Sequence, residues 1–319
     1  MKKSRKPITI IGGGLIIVGI LLATIGLFVG ANFTIVNTDT GLKAVGNNDR
    51  LHEELSLKEF KNIELNIADG DIEVIPSDEY KIEIERMEGT KITHAVENKT
   101  LSIKEETNSG FKFVMNFSFN IQETVIKIYV PTDAEFTDIT IASKFGDIQL
   151  DGLNVNKLHV YSNDGEVAID NIHSDKIVVE NKYGDVKSTN LKTNHLEVEI
   201  NDGDANLESI VAANTVLNNH YGDTSLSNFT SKGTKIESED GDININGELL
   251  GQTTINSNYG NIYLKLANKE SEMSYNIQNK YGGIVVNDNQ YVTKATNSVN
   301  SPNKMVINSK DGDVEATLK

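Results

Sequence analysis

Six acidic side chains recur at one constant interval, and each directly follows a glycine. They are Asp147, Glu166, Asp185, Asp204, Asp223 and Asp242, each 19 residues after the one before. Two interpretations of this column are open. The carboxylates either accept hydrogen bonds from turn amides, or they hold Ca²⁺ ions between consecutive acids along one edge. The interval differs from the nine-residue glycine-aspartate pattern of calcium-binding β-rolls.

The sequence offers no other arrangement suited to catalysis. Its six histidines fall at different positions of the repeat, and cysteine is absent. Neither a glycine-rich phosphate loop nor a serine elbow occurs. We therefore predict no catalytic residue, no cofactor-binding residue and no enzymatic activity. A carbohydrate-active β-helix enzyme is the alternative, because two carboxylates can cleave a glycosidic bond. Against it, these acids recur evenly and do not cluster with Arg or Lys.

The acids belong to a repeat that is centred on glycine. Seven glycines follow each other at intervals of 19 residues: Gly146, Gly165, Gly184, Gly203, Gly222, Gly241 and Gly260. Further copies stand at Gly70, Gly282 and Gly312, the last two after spacings of 22 and 30 residues, which predicts loops inserted within coils. A fixed period of this length indicates that each repeat is one structural unit stacked on the next.

Apolar columns on both sides of the glycine predict the fold. β-Branched and apolar residues lie five positions before it, as at Val160 and Val179, and two positions after it, as at Val167 and Val186. This alternation indicates two short strands per coil, whose stacking at about 4.8 Å would bury each column as a ladder. The expected fold is all-β, a single-stranded parallel β-helix (β-solenoid) with 19-residue coils and right-handed winding. A meander of antiparallel hairpins is the alternative.

Two further columns line the expected corner. Three positions before the glycine, a polar ladder is predicted from Ser143, Ser162, Asn181, Asn219, Ser238 and Ser257. Directly before the glycine, aromatic and acidic residues alternate: Phe145, Asp164, Tyr183, Asp202, Tyr221, Asp240 and Tyr259. Because carboxylates stacked about 5 Å apart would repel each other, we interpret the rings as separating the charges.

The N-terminal residues predict a membrane anchor. Residues 1–7 carry four basic side chains and are expected to be cytoplasmic, while residues 8–31 contain no charge. These 24 residues are long enough, as a transmembrane helix, to cross about 30 Å of hydrocarbon. A signal peptide cleaved after residues 29–31 is the alternative. In both cases the remainder is exported, and the first predicts a single-pass signal-anchor protein of the cell membrane with an extracellular C-terminal domain.

The exported part divides into a linker and one domain. Residues 32–56 are polar without a clear period and are interpreted as a linker. Residues 57–319 are predicted to form the solenoid, and the 19-residue rhythm stops at 76–131, which is interpreted as inserted strands that cap it. Alternating aromatic residues within 111–119 are expected to pack as a face of this cap.

The charge limits the possible partners. Beyond the four basic residues at the N-terminus, 26 Lys and Arg stand against 46 Asp and Glu. An exported surface with this balance repels nucleic acid and anionic headgroups. Apart from the membrane that holds the anchor, the expected partners are a cell-envelope component, a cationic peptide or another membrane protein. No nucleic-acid partner is expected.

The order of these motifs resembles a known family. An N-terminal anchor precedes a coil of the form I-x-L-x-I-x-D-G-D-I-x-V at 63–74, a strand at 125–131 that ends in Val-Pro, and serial units such as S-x-x-G-D-I-x-L at 143–150. This pattern resembles the bacterial DUF4097 family over residues 57–319. Its members are called "putative adhesins" or β-strand repeat proteins, and some are LiaG-like proteins of envelope-stress operons in Gram-positive bacteria. The resemblance implies an extracytoplasmic β-helix that serves as an adhesin-like binding or scaffolding surface, with a role in the envelope-stress response and no catalytic residues. A Ca²⁺-stabilised structural spacer is a further alternative.

Overall fold

The structure is a computed structural model that describes residues 6–28, 34–38, 41–45, 50–87, 90–106, 115–116 and 124–319. The chain divides into two compact units. The first comprises Met1–Leu51, Met87–Thr90 and Thr107–Gln122, and the second His52–Arg86, Lys91–Glu106 and Glu123–Lys319. The proposed cleavage position at 29–31 and most of the aromatic segment 111–119 lie outside the described residues.

The described secondary structure is almost entirely β. One α-helix, α1, spans Lys6–Phe28, and a single 3₁₀ turn spans Glu270–Glu272. The strands are β1 Thr34–Thr38, β2 Gly41–Val45, β3 Arg50–Ser56, β4 Asn62–Asp69, β5 Asp71–Ser77, β6 Lys81–Met87, β7 Ile92–Glu97, β8 Thr100–Glu105, β9 Met115–Asn116, β10 Val125–Pro131, β11 Glu135–Phe145, β12 Ile148–Asp151, β13 Asn154–Asp164, β14 Val167–Asp170, β15 His173–Tyr183, β16 Val186–Asp202, β17 Ala205–Tyr221, β18 Thr224–Asp240, β19 Ile243–Tyr259, β20 Ile262–Leu266, β21 Ser274–Tyr281, β22 Ile284–Val286, β23 Asn289–Tyr291, β24 Lys294–Asn297, β25 Lys304–Asp311 and β26 Val314–Leu318.

The first unit contains α1 and a small sheet. Strand β1 pairs antiparallel with β2 on one side and with β9 on the other. The segment 32–56, interpreted from the sequence as a linker, therefore includes strands β1, β2 and β3. Among the residues that the structure describes, no helix combines the length and the apolar character needed to cross a membrane.

The second unit is built from parallel strands stacked in strict register. Leu158 faces Ile177, and Ile177 faces Leu196, so that each residue pairs with the one 19 positions further along. From β16 to β19, single strands of 17 residues run through most of a coil, and each pairs parallel with the next. The open sheet of parallel strands agrees with the predicted solenoid, and the antiparallel meander is wrong for these coils.

The core is the set of inward columns that the sequence predicted. Ile141, Val160, Val179, Val198, Leu217, Ile236 and Ile255 are all buried. Removing such β-branched and leucine side chains from water stabilises the stack by about 25 cal/mol per Å² of apolar area. The column seven positions before the glycine changes to Thr215, Thr234 and Thr253, which are also buried, and the Thr215 hydroxyl donates to Ser231 Oγ at 3.1 Å.

Strands from the segment 76–131 form an additional layer on the first coil. Strand β4 lies between β8 and β11, and it pairs parallel with both. Strand β5 likewise pairs parallel with β10 and β12. Strands β6 and β7 then pair antiparallel with β10 and β8. The antiparallel partners cover edges that a bare parallel stack would leave open.

At the C-terminal end the stacking order departs from the chain order. Strand β25 lies between β19 and β21, and β26 lies between β20 and β22. The coil of Gly312 is therefore inserted between those of Gly260 and Gly282. The spacings of 22 and 30 residues predicted inserted loops but not this stacking order, in which the chain first forms the outer layer and then returns to fill the inner one. Strands β23 and β24 pair antiparallel with the outer layer.

Candidate functional site

The glycine corner is the line of turns at the repeated glycines. The backbone φ of Gly184 is +125° and that of Gly203 is +145°, values that side-chain-bearing residues rarely adopt. A Cβ atom on Gly203 would overlap the carbonyl group of Gly184, and one on Gly184 would overlap that of Gly165. The glycines therefore align in adjacent layers, as the constant interval predicts, with no room between their backbones.

The acidic column binds the backbone of the neighbouring coil. Asp204 Oδ1 accepts the N–H of Asp223 at 2.8 Å, and Asp223 Oδ1 accepts the N–H of Asp242 at 2.8 Å. The same bond links Asp147 to Glu166 and Asp185 to Asp204. The structure thus agrees with the amide interpretation, although the amide belongs to the next layer instead of the acid's own turn. Each bond ties two coils together at the corner.

Glu166 is the one glutamate of the column and behaves differently. Its Oε2 atom is bound by Lys187 Nζ, which also lies 3.8 Å from Asp185 Oδ2. The side-chain hydrogen bond to Glu166 raises the pKa of Lys187, against a smaller lowering by desolvation. The extra methylene of glutamate therefore directs its carboxylate to a surface lysine of the next coil.

We expect Asp223→Asn to be tolerated and Asp223→Ala to be destabilising. Asn261 occupies the same column naturally, and its Oδ1 accepts the Asp313 N–H at 2.9 Å, so an amide oxygen can replace the carboxylate. Alanine leaves the Asp242 N–H without its acceptor, which costs about 1 kcal/mol. Urea unfolding of the two variants checks this. Equal loss of stability in both would show that the charge, and not the acceptor, matters.

The calcium hypothesis for the same column stays a prediction. Among the described residues, no group of three or more His, Asp or Glu side chains is placed to hold a metal ion. A row of carboxylates that held Ca²⁺ would gain stability by binding it in the folded state alone. The hypothesis therefore predicts a melting temperature that rises with millimolar Ca²⁺ and falls with chelator, and an unchanged melting temperature would contradict it.

Within the polar ladder inside the corner, the asparagines donate to glycine carbonyls. Asn219 Nδ2 donates to the carbonyl oxygens of Gly203 at 3.2 Å and Gly222 at 3.0 Å. Asn181 does the same for Gly165 and Gly184. One asparagine therefore serves two layers. This explains why Ile200, which lies between the two asparagines in this column, can be apolar and fully buried.

The alternating column in front of the glycine forms an exposed surface, here called the ring stripe. In stacking order it consists of Phe145, Asp164, Tyr183, Asp202, Tyr221, Asp240, Tyr259, Asp311 and Tyr281. The five rings are 48% to 58% exposed. Chain order would place Tyr281 directly after Tyr259, but the inserted β25 puts Asp311 between them. The alternation is therefore complete in space although it is broken in the sequence.

A groove runs beside the ring stripe. It is lined by outward side chains two and four positions before the glycine, among them Asn218, His220, Glu237 and Lys310. A separate cavity beside the earlier coils is lined by residues at the same positions of the repeat, among them Tyr161, whose pKa is raised by burial and secondarily by Glu180. Amides and charges of both signs offer donors and acceptors along this groove.

A second corner was missed by the sequence interpretation. Asn171, Asn190, Ser209 and Asn228 follow each other at 19 residues and all have φ between +51° and +58°. Asn190 Nδ2 donates to Asn171 Oδ1 at 3.0 Å, and Asn228 Nδ2 donates to Ser209 Oγ at 3.1 Å. The signal was a column of residue types that tolerate the left-handed region.

One family model and several solved structures are similar to this chain. The family model described as "Toastrack DUF4097" matches residues 60–317. The chain is similar to a "putative lipid binding protein" from Parabacteroides distasonis, with 14% identity over 85% of this chain and 98% of that chain, at a TM-score of 0.49. It is also similar to a "putative adhesin" from Bacteroides fragilis, with 16% identity over 85% and 97% of the two chains, at a TM-score of 0.39. A "putative cell adhesion protein" from Clostridium sporogenes shares 14% identity over 85% and 100%, at 0.29. No curated protein matches the chain.

Proposed function

Because this chain belongs to the Toastrack DUF4097 family, we propose that it is a non-enzymatic, adhesin-like binding protein of the bacterial cell envelope whose ligand contacts the ring stripe. The observation that carries the proposal is the exposure of five aromatic rings in one line. Exposed aromatic side chains in a row are costly to leave in water and are enriched where proteins bind partners.

The acids that follow the glycines and the acids that precede them have different roles. The acids that follow the glycines are bound to backbone amides and serve the stack. The carboxylates of Asp202 and Asp240, which precede the glycines, have no hydrogen-bond or ion-pair partner among the described residues. The free acids and the rings together leave a surface whose polar groups are available to a ligand. We favour binding over glycan cleavage because the acids recur evenly along the corner and Asp204 and Asp223 accept backbone N–H groups. Lys187 is a basic partner for Glu166 and Asp185 at one place in the column.

The proposal includes export and attachment to the membrane through residues 8–31. This part rests on the sequence, in which four basic residues precede 24 uncharged ones. Alkaline extraction of membranes is expected to leave the full chain in the pellet, with the second unit open to protease added outside the cell. A chain that is released after cleavage near residue 31 would support the signal peptide, and a chain protected from external protease would contradict export.

Capture from envelope fractions tests the binding function. The full chain, immobilised in mild detergent, is expected to retain an envelope component, and the double variant Tyr221→Ala/Tyr259→Ala is expected to lose it. Tyr263→Ala is the matched control, since Tyr263 is also exposed but belongs to another column, on β20. Equal retention by all three proteins would contradict a role of the stripe. Unchanged sensitivity of a deletion strain to envelope stress would contradict the proposed stress role.

A further inference from the structure

The ring stripe is divided into slots of one repeated design. Successive rings lie two layers apart, about 9.6 Å, which is too far for direct ring stacking. Each interval contains one aspartate, so that a slot consists of two rings and a carboxylate between them. Tyr183, Asp202 and Tyr221 form one slot, and Tyr221, Asp240 and Tyr259 form the next.

The spacing suits a cation. A positive group above the aspartate would lie about 5 Å from the ring in the layer on either side, and a cation interacts favourably within about 6 Å of a ring centroid. It would also meet the carboxylate. A neutral group would gain the rings but not the charge. The slot therefore combines two attractions that only a cationic group receives together.

Two lysines of the chain place their ammonium groups near rings of the stripe at its C-terminal end. Lys310 Nζ lies 5.1 Å from the ring centroid of Tyr259 and 3.5 Å from its hydroxyl oxygen. Lys280 Nζ lies 4.8 Å from the ring centroid of Tyr281. These rings flank Asp311, so ammonium groups of the protein already lie against the walls of this slot. The neighbours of Asp202 and Asp240 on the preceding position are Asn201 and Glu239, which supply no cation.

We propose that the ring stripe binds an extended polycationic polypeptide that runs along the stack and places Lys or Arg side chains in successive slots. This inference rests on the proposed binding function and names its ligand class. The acidic balance of the exported part would attract such a chain from a distance. The protein's own lysines lie at the slot of Asp311, so the slots open to a ligand are those of Asp164, Asp202 and Asp240. They cover two intervals, about 19 Å, which an extended segment of about six residues spans. One ligand that occupies several slots at the same time binds more tightly than a single cationic group in one slot.

Fluorescence anisotropy with labelled nona-lysine and nona-arginine, at near-physiological salt, tests the proposal on the full chain. Tyr221 forms a wall of two slots, so Tyr221→Ala is expected to weaken binding about fivefold to tenfold. Tyr221→Phe is expected to restore it, since phenylalanine keeps the ring face and Phe145 stands in the stripe naturally. Circular dichroism and the melting temperature show whether each variant is folded.

Two matched controls separate the stripe from general charge attraction. Asp240→Asn is expected to weaken binding, while Glu208→Gln, which removes one exposed acid outside the corner, is expected to change it less than twofold. Equal effects of these two variants, or of Tyr221→Ala and Tyr263→Ala, would overturn the proposal. Ring-dependent binding of a neutral β-1,4-linked N-acetylglucosamine oligomer in place of the peptides would overturn it in favour of a glycan.

The two levels of the proposal can fail separately. If envelope capture depends on Tyr221 and Tyr259 while neither peptide binds, the polycationic ligand is wrong and the binding function stands. If the peptides bind through the stripe while the envelope fractions yield nothing that depends on it, the envelope function is wrong and the chemistry of the slots stands.

Discussion

Gly203→Ala is expected to lower the free energy of unfolding by about 3 kcal/mol. The backbone at Gly203 has a φ of +145°, which strains any residue with a Cβ atom. The new atom would also overlap the carbonyl group of Gly184 in the adjacent layer, and backbone cannot move aside without shifting the whole stack. Urea or guanidinium unfolding of the full chain measures the loss, with the melting temperature as a second readout.

Gly283→Ala is the matched control for this substitution. Gly283 has no positive φ in the range that excludes side chains, and a Cβ there would make only an ordinary 3.5 Å contact with Asp313 Oδ1. We expect less than about 1 kcal/mol of change at this position. If both substitutions had the same small effect, the close stacking of glycine backbones at the corner would be incorrect.

Asn219→Ala is expected to lower the free energy of unfolding by about 2 kcal/mol. The side chain is only 1% exposed, and its Nδ2 donates to the carbonyls of Gly203, Gly222 and Asp223. Alanine removes these donors and leaves buried carbonyl oxygens that water cannot reach, and it also leaves a small cavity. The same unfolding experiment measures the effect.

Asn206→Ala provides the control for the asparagine. Asn206 is exposed and lies three residues after Gly203, outside the corner. Its replacement is therefore expected to change stability by less than about 0.5 kcal/mol. Asn181→Ala should resemble Asn219→Ala, because Asn181 serves the carbonyls of Gly165 and Gly184 in the same way. Loss at one asparagine but not at the other would contradict the account of one donor for two layers.

The register of the regular coils could be predicted from the sequence because parallel stacking repeats residue positions. With a constant interval of 19, alignment of Gly165, Gly184 and Gly203 follows directly from the chain, and the structure confirms it. The family resemblance is also confirmed, since the family model matches residues 60–317 of the chain.

The end of the stack could not be predicted in this way. Residue spacing records the length of chain between two glycines, but not which open edge the later strand joins. The coils of Gly260, Gly312 and Gly282 are stacked in this order because β25 pairs with β19 on one side and with β21 on the other, and both pairings join residues far apart in the sequence. Only the residue types in front of the glycine hint at it, because Asp311 restores the alternation between Tyr259 and Tyr281.

The role of the acids after the glycines could be predicted only in part. Their type and interval identify the column, but the acceptor bond from Asp204 to the Asp223 N–H crosses between layers and requires the stacked geometry. The chain contains a second acidic column, in front of the glycines, whose members look equivalent in the sequence. Their contacts differ, because Asp204 accepts the Asp223 N–H, whereas the exposed Asp202 carboxylate accepts no turn amide among the described residues.

Site-specific photocrosslinking in living cells tests the central claim most directly, namely that the ring stripe is where this protein meets its partner. A photoreactive phenylalanine analogue at position 221 is expected to give a discrete crosslinked product, whereas the same group at position 263, which is also exposed, is expected to give none. Products of equal yield at both positions, or a product at position 263 alone, would contradict the claim.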